Sequence, residues 1–340
     1  MRIRAMTARL AINGFGRIGR LALRAAWSWP EFRIVHINEV AGDADAAAHL
    51  LSHDSVQGTW HHEVEAEAEA LVVDGHRVGY SRNPDIAATP WRDLGVDLVV
   101  DCTGRFKSRA ALAPYLEGGV PLVVVSAPLG DDIPNIVMGV NQARCDTGVE
   151  RLFSAASCTT NCIAPVVDVL HRSFGIRHGA ITTVHDVTNS QRVLDDYHKD
   201  LRRARAAGLS LIPTTTGSAR AIADIFPELR GRLNGLAVRV PLANASLTDC
   251  VFELERATSA SEVNGALESA AAGRLAGILG YETRPLVSVD FRGDPRSGVI
   301  DALSTQVIDA TLAKVLVWYD NETGYAHRLM ELARLLLTGR

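Results

Sequence analysis

Short apolar runs alternating with helix-length amphipathic stretches predict a parallel sheet in the first half of the chain. Residues 8–13 form a strand pattern that runs straight into a glycine cluster, after which 21–26 continue as a helix. Residues 32–39, 97–101 and 122–126 repeat the strand pattern, and each ends in or just before acidic or small polar groups. Residues 109–116 read as a helix stopped by Gly118 and Gly119, so strands and helices alternate as in a doubly wound sheet, which binds ligands at the carboxyl ends of its strands. The compositionally biased stretch 63–70 reads as part of a surface strand. Further along, 163–174 suits a buried or amphipathic helix with Pro165 tolerable in its first turn, and 179–185 is another strand pattern. Residues 326–337 carry an apolar stripe suited to packing back on the first sheet.

The glycine cluster is Gly14-Phe15-Gly16-Arg17-Ile18-Gly19, placed between a strand and a helix as a dinucleotide fingerprint requires. Gly14 allows the tight turn, Gly16 lets the backbone approach a pyrophosphate, and Gly19 lets helix and strand pack closely. Glu39 ends the second strand 20 residues after Gly19, where a ribose 2′-hydroxyl is expected. A solvated strand-end charge is the plainer reading of Glu39, but the spacing favours the ribose and therefore NAD over NADP, because a carboxylate repels a 2′-phosphate. The expected cofactor contacts are Asn13, Phe15, Arg17, Ile18 and the three glycines, with Glu39 and, at later strand ends, Thr103, Gly104 and Ser126.

Chemistry enters with the uncharged, hydroxyl-rich run from Ser154 to Cys162, which places Cys158 at the start of the apolar helix. Ser157 is available as its cap, as are Thr159 and Thr160. Free backbone N–H groups and the positive end of the helix dipole stabilise a thiolate or a bound oxyanion at such a position. A free cysteine is more often a small buried hydrophobe, the reading taken for Cys102, Cys145, Cys162 and Cys250. For Cys158 the functional reading outweighs it. His185 ends a strand soon after this helix and is followed by Asp186 and Thr188, which could bring an imidazole within reach of Cys158. Three segments look suited to small anions: 200–205 with its guanidiniums, 212–217 with hydroxyls and a glycine turn, and 236–241, where Arg239 interrupts an apolar strand. Arg239 is read equally as half of an ion pair or as an anion ligand, since a buried charge needs one or the other.

Composition narrows the classes. A chain of 340 residues, 47% hydrophobic and 22% charged, is ordinary for a two-domain soluble enzyme, and a net charge of -4 argues against nucleic acid as the main partner. No stretch is long and apolar enough for a membrane span, residues 1–6 lack the apolar core of a signal peptide, and five unevenly spaced cysteines make no disulfide framework. A reducing cytoplasm is the expected location. Cys158 and Cys162 stand one helical turn apart with no nearby Cys or His pair, an incomplete zinc site, so no metal is expected. The expected fold is α/β, a Rossmann-type doubly wound sheet followed by an α+β catalytic domain. Residues 1–157 form the NAD-binding domain, completed by a C-terminal helix at 322–340, and 158–321 form the catalytic domain.

The chain resembles the phosphorylating glyceraldehyde-3-phosphate dehydrogenases over nearly its whole length. The motifs that carry this are 11–20, 155–161, 183–185, 198–205, 212–217, 239–241 and 318–322, in that family's order. The resemblance implies that Cys158 attacks the aldehyde of glyceraldehyde 3-phosphate, that His185 is the base and helps hold the oxyanion, and that hydride passes to NAD. Inorganic phosphate then takes the acyl group from the thioester. It further implies that Thr188 and Arg239 hold the substrate phosphate and that Ser157, Thr159, Thr216 and Gly217 bind the incoming anion. Arg202 would contribute to phosphate handling, Asn321 would hold the nicotinamide carboxamide, and the enzyme would be a homotetramer.

Within the family, 35–42, 240–252, 277–282 and 294–297 resemble the branch associated with bacterial arsenic-resistance operons, which makes arsenate a second expected acyl acceptor. Thr323 stands where many members carry an aromatic residue, Glu39 replaces the more usual Asp, and Tyr197 replaces Pro. Glu39 and Tyr197 are shared in kind with erythrose-4-phosphate dehydrogenases, the competing enzyme. A non-catalytic NAD-binding regulator is the alternative of another class, opposed by the intact Cys158 and His185.

Overall fold

The computed structural model describes residues 7–130 and 132–339; residues 1–6, where no signal-peptide core was read, lie outside them. The chain divides into two compact units. One runs through Ile136, resumes over Gln142–Ala156 and takes in the chain from Ala326; the other comprises Val137–Asn141 and Ser157–Tyr325.

The first unit is built on strands β1 (Ala8–Asn13), β2 (Phe32–Asn38), β3 (Val64–Glu67), β4 (Ala70–Val73), β5 (His76–Ser81), β6 (Leu98–Asp101), β7 (Leu122–Val125) and β8 (Leu152–Ser154). Among the described residues they form one eight-stranded sheet in the order β3-β4-β5-β2-β1-β6-β7-β8. From β5 to β8 the pairings are parallel, and β3 and β4 add an antiparallel edge. Leu10, Ala11 and Ile12 of β1 and Leu98, Val99 and Val100 of β6 are wholly buried, as central strands covered on both faces must be. Helices α1 (Arg17–Ala26), α2 (Ala44–Ser52) and α3 (Arg109–Glu117) supply crossovers, and α3 ends at Gly118 with Gly119 at φ +88°. The strand order reverses between β1 and β6, which opens a crevice at their carboxyl ends. Residues 63–70 are not one strand: a turn at 68–69 folds them into the β3–β4 hairpin, with Glu67 opposite Ala70.

In the second unit, α4 (Cys158–Phe174), α5 (Ser218–Ile225) and α6 (Ala260–Ala272) are associated with strands β9 (Ile176–His185), β10 (Ile212–Thr215), β11 (Leu233–Arg239), β12 (Ser246–Leu254), β13 (Leu279–Glu282), β14 (Gly298–Ile308) and β15 (Leu312–Tyr319). The seven strands form a mixed sheet in the order β10-β11-β9-β12-β15-β14-β13. Helix α4 touches both α5 and α6 and packs on the central strands. Burial alternates strictly along β12 and β15, the period-two signature of a sheet with one fully covered face. A last helix, α7 (Thr323–Thr338), enters the first unit at Ala326, and its stripe of Ala326, Leu329, Met330 and Ala333 is wholly buried.

Candidate active site

In the first unit, the chain leaving β1 turns at Gly14, which has φ +90°; a Cβ there would stand 2.6 Å from the Thr103 amide nitrogen after β6. A Cβ on Gly19 would lie 2.1 Å from the Gly14 carbonyl oxygen, so both glycines are required by close backbone packing. Gly16 differs: nothing lies within 4 Å of its Cβ position. It caps α1 without a side-chain hydrogen bond, and no acid sits in the helix's first turn. A helix start without a side-chain cap, with open space at Gly16, suits a pyrophosphate.

An open cleft adjoins this helix start. Of the expected contacts, Asn13, Gly14, Gly16, Glu39 and Thr103 line it, joined by Asn38, Asn83 and Phe106, which sequence reasoning had passed over. Phe15, Arg17, Ile18, Gly19, Gly104 and Ser126 lie outside that lining for identifiable reasons in several cases. The Phe15 side chain is buried, the Arg17 guanidinium is paired with Asp54, and Gly19 is occupied in helix–strand packing. Glu39 accepts from the backbone amides of Phe15 at 2.6 Å and Ala41 at 2.8 Å, which fixes its carboxylate at the end of β2.

Beneath the cleft runs a continuous hydrogen-bonded chain. Asn38 donates to Asn13 Oδ1 at 2.8 Å, Asn13 donates to the Tyr115 hydroxyl, and Tyr115 donates to Asp101 Oδ2 at 2.7 Å. Asp101 Oδ1 in turn accepts from the Thr103 amide and hydroxyl at 2.9 and 2.7 Å. The Asn13 amide is therefore committed on both sides, and the network holds rigid the two strand ends that frame the cleft. Burial pushes the Asp101 carboxyl upward.

Ala156, just before the second unit resumes at Ser157, adopts φ +55°, an uncommon conformation for a residue with a side chain, and turns the chain into α4. Ser157 is the cap, accepting from the Thr160 amide at 3.1 Å, so the helix opens on Cys158. Cys158 Sγ lies 3.8 Å from His185 Nε2 and 3.9 Å from Thr159 Oγ1. Thr159 is anchored 2.9 Å from the Tyr319 hydroxyl, and the Tyr319 ring stands edge-on to His185 at 6.1 Å. His185 and Arg239 are partners in the parallel register of β9 and β11, which sets their side chains side by side.

His185 Nδ1 faces three groups: Arg239 Nη1 at 2.6 Å, Asp186 Oδ1 at 2.8 Å and the Asp186 carbonyl oxygen at 2.9 Å. Burial, the strongest single influence, opposes a charge on this ring, yet the Asp186 carboxylate and the Cys158 sulfur together hold it up to about 9. Arg239 has no carboxylate within ion-pair distance among the described residues, and its Nε is buried without a partner. Burial lowers its affinity for its proton. A guanidinium with an unfilled donor is chemically disposed to take an anion.

The remaining expected anion contacts lie in the same unit. Thr188 is exposed in a turn, its hydroxyl donating to Gln191 Oε1 at 2.8 Å. Arg202 is exposed, whereas its neighbours Arg203 and Arg205 are engaged by Asp200 and Asp195. Thr216 and Gly217 precede α5, with Thr216 Oγ1 3.0 Å from Ser218 Oγ and open space at Gly217. Asn321 is buried and accepts from Ser246 Oγ at 3.5 Å.

A doubly wound unit with a glycine fingerprint, joined to a unit that sets a cysteine against a histidine, defines the class of the NAD-dependent dehydrogenases. Family comparison agrees: residues 8–109 match the NAD binding domain of glyceraldehyde 3-phosphate dehydrogenase and 157–321 match its C-terminal domain. The chain is 59% identical to glyceraldehyde-3-phosphate dehydrogenase 3 of Nostoc sp., covering 97% of this chain and 98% of that one. It is 51% identical to the glyceraldehyde-3-phosphate dehydrogenase of Geobacillus stearothermophilus, covering 96% and 98%, and 49% identical to that of Pseudomonas aeruginosa, covering 98% and 100%. The chain belongs to the glyceraldehyde-3-phosphate dehydrogenase family and is an NAD-dependent dehydrogenase.

Proposed function

We propose that this protein oxidises glyceraldehyde 3-phosphate through a thioester on Cys158 and hands the acyl group to phosphate or arsenate. The approach of Cys158 Sγ to His185 Nε2 at the start of α4 carries this reading. His185 takes the thiol proton, and the thiolate adds to the aldehyde carbon to give a hemithioacetal. The protonated ring and the first amides of α4 then face the developing oxyanion, and the ring passes its proton to that oxygen, which leaves the hemithioacetal hydroxyl beside a neutral imidazole. NAD, held at the cleft beside Gly14, Gly16 and Glu39, would supply the hydride acceptor for oxidation of the hemithioacetal to the thioester. His185 accepts the hydroxyl proton as hydride leaves, and an oxyanion then adds to the thioester carbonyl and expels the cysteine thiolate. The products are 1,3-bisphosphoglycerate with phosphate and 1-arseno-3-phosphoglycerate with arsenate.

Arg239, with its unfilled buried Nε, and Thr188 are proposed to hold the substrate phosphate. Ser157, Thr159, Thr216 and Gly217 would receive the incoming anion, Arg202 would assist, and Asn321 would hold the nicotinamide carboxamide. The arsenate role, detoxification in the cytoplasm, is supported by the branch-like stretches 35–42, 240–252, 277–282 and 294–297. A homotetramer is proposed on the same resemblance and is supported by the exposed apolar side chains Val193, Leu194, Leu201, Leu209 and Leu211.

NADH absorbance tests the proposed reaction with one set of mixtures. Glyceraldehyde 3-phosphate with either anion should support turnover, Cys158→Ser should abolish it, and erythrose 4-phosphate should be the poorer substrate. Failure of arsenate to support NADH formation would remove the detoxification role, and preference for erythrose 4-phosphate would move the chain to the competing activity suggested by Glu39 and Tyr197.

A further inference from the structure

The proposed chemistry leaves one buried charge without a task. Asp186 is fully buried, and its Oδ1 approaches His185 Nδ1 at 2.8 Å. That approach is an ion-pair contact rather than an aligned hydrogen bond, and neither carboxylate oxygen has a hydrogen-bond partner among the described residues. The backbone of Asp186 is held independently, with its amide donating to Ser246 Oγ at 3.2 Å. A carboxylate buried this deeply is costly unless it faces a positive charge. The candidate for that charge is the imidazolium.

We propose that Asp186 is a positioning residue for His185: its carboxylate accepts the Nδ1 proton, aims Nε2 at Cys158 and supplies the counter-charge for the imidazolium formed when the thiol proton moves to Nε2. The inference rests on the Cys158 and His185 roles proposed above. Arg239 gives the arrangement a second state. Its Nη1 is a donor 2.6 Å from the same Nδ1, so it is compatible with that nitrogen only when the nitrogen carries no proton. An anion that draws the guanidinium away frees Nδ1 to carry a proton toward Asp186. Substrate phosphate engagement by Arg239 would thereby promote the imidazolium form. The charged and titratable groups acting on this pair are Cys158 from α4, Arg239 from β11, Tyr319 from β15 and Glu322 just beyond it, with Arg203 acting on Arg239. Burial works against both charged forms, pushing the Asp186 carboxyl up and opposing the charge on the ring; the ring draws the carboxyl back down, and the carboxylate and the Cys158 sulfur hold the ring up.

The test uses the full chain with NAD bound and the variants Asp186→Asn and Asp186→Ser. Nitrogen NMR of His185 should show the imidazolium midpoint falling by about one pH unit or more, a tenfold change in proton affinity. The single-turnover NADH burst should slow by about 10- to 100-fold, the scale on which loss of an orienting partner is felt. KM for glyceraldehyde 3-phosphate should change by less than about threefold, since a histidine-orienting group acts on kcat. A midpoint and burst within a factor of two of wild type in a folded variant would overturn the inference. Should neither variant fold, wild-type spectra decide it: an Nδ1 that stays unprotonated with substrate phosphate bound, across about pH 6 to 8, refutes the role. His185→Asn and Cys158→Ser separate the two levels. If both lose the burst while the Asp186 variants keep it, only the positioning role fails; if both keep it, the underlying reading fails.

Discussion

His36, in the middle of β2, is expected to make the nucleotide-binding unit sensitive to acid. Its Nε2 lies 2.8 Å from Ser81 Oγ, and Ser81 spends its own hydrogen on Asn38 Oδ1, so the ring must be the donor and Nε2 carries the proton. Nδ1 is then a bare lone pair, buried with no partner, 2.7 Å from where a Gly79 Cβ would stand. Protonation would create a charged N–H with nothing to receive it, and burial accordingly lowers the pKa from 6.5 to about 4. Between these values the unfolded chain takes up a proton that the folded chain refuses, so stability falls as pH falls through this window and levels off below about 4. A difference of about 2.5 units at 1.36 kcal/mol each makes the full loss about 3 kcal/mol, a large part of a typical domain's stability. Gln at position 36 retains a donor near Nε2 and cannot titrate. Urea unfolding of wild type and His36→Gln from pH 7.5 to 4 should show the gap between them shifting by up to about 3 kcal/mol in favour of the variant. A gap that stays constant over that range would refute the assignment. Because Ser81 and Asn38 link His36 to the network under the cleft, NAD affinity should weaken over the same window in wild type alone.

Gly19→Ala places a methyl 2.1 Å from the Gly14 carbonyl, backbone against backbone; it should cost about 1–3 kcal/mol and weaken NAD binding more than tenfold by calorimetry, and unchanged binding would show that α1 can move. Arg239→Gln should raise KM for glyceraldehyde 3-phosphate by roughly 10- to 100-fold, from a charge-assisted contact of about 1.5–3 kcal/mol, with a smaller effect on kcat/KM for unphosphorylated glyceraldehyde. An equal effect on both aldehydes would argue against a phosphate contact. Burial pushes Cys102 up to about 12, Cys145 up to about 11, and Cys162 and Cys250 upward as well, so one equivalent of iodoacetamide near neutral pH should label Cys158. Peptide mass spectrometry finding the adduct elsewhere would contradict the proposed nucleophile.

Much of the nucleotide half was legible because its chemistry is local. The spacing of Gly14, Gly16 and Gly19 encodes a turn, an open approach and a tight helix packing within six residues, and each glycine is found in that role. The 63–70 stretch misled because a strand pattern contains no statement of length: the turn at 68–69 carries no glycine or proline to announce it. Nothing near Arg17 in sequence shows that Asp54 will fold against it.

For the cysteine centre the division is sharper. Sequence alone was enough to determine the family, the helix-start position of Cys158 and the strand-end position of His185, because capping and strand periodicity act over a few residues. Tertiary structure decided what surrounds them. The parallel register of β9 and β11 sets Arg239 beside His185, the antiparallel strand β15 delivers Tyr319 to Thr159, and the turn after β9 folds Asp186 back onto Nδ1. Whether Arg239 pairs with an acid or awaits an anion depends on which carboxylates the fold brings near it. Electrostatic roles follow distance and burial, and for groups as far apart in the chain as 158, 185, 239 and 319, both are properties of the folded sheet.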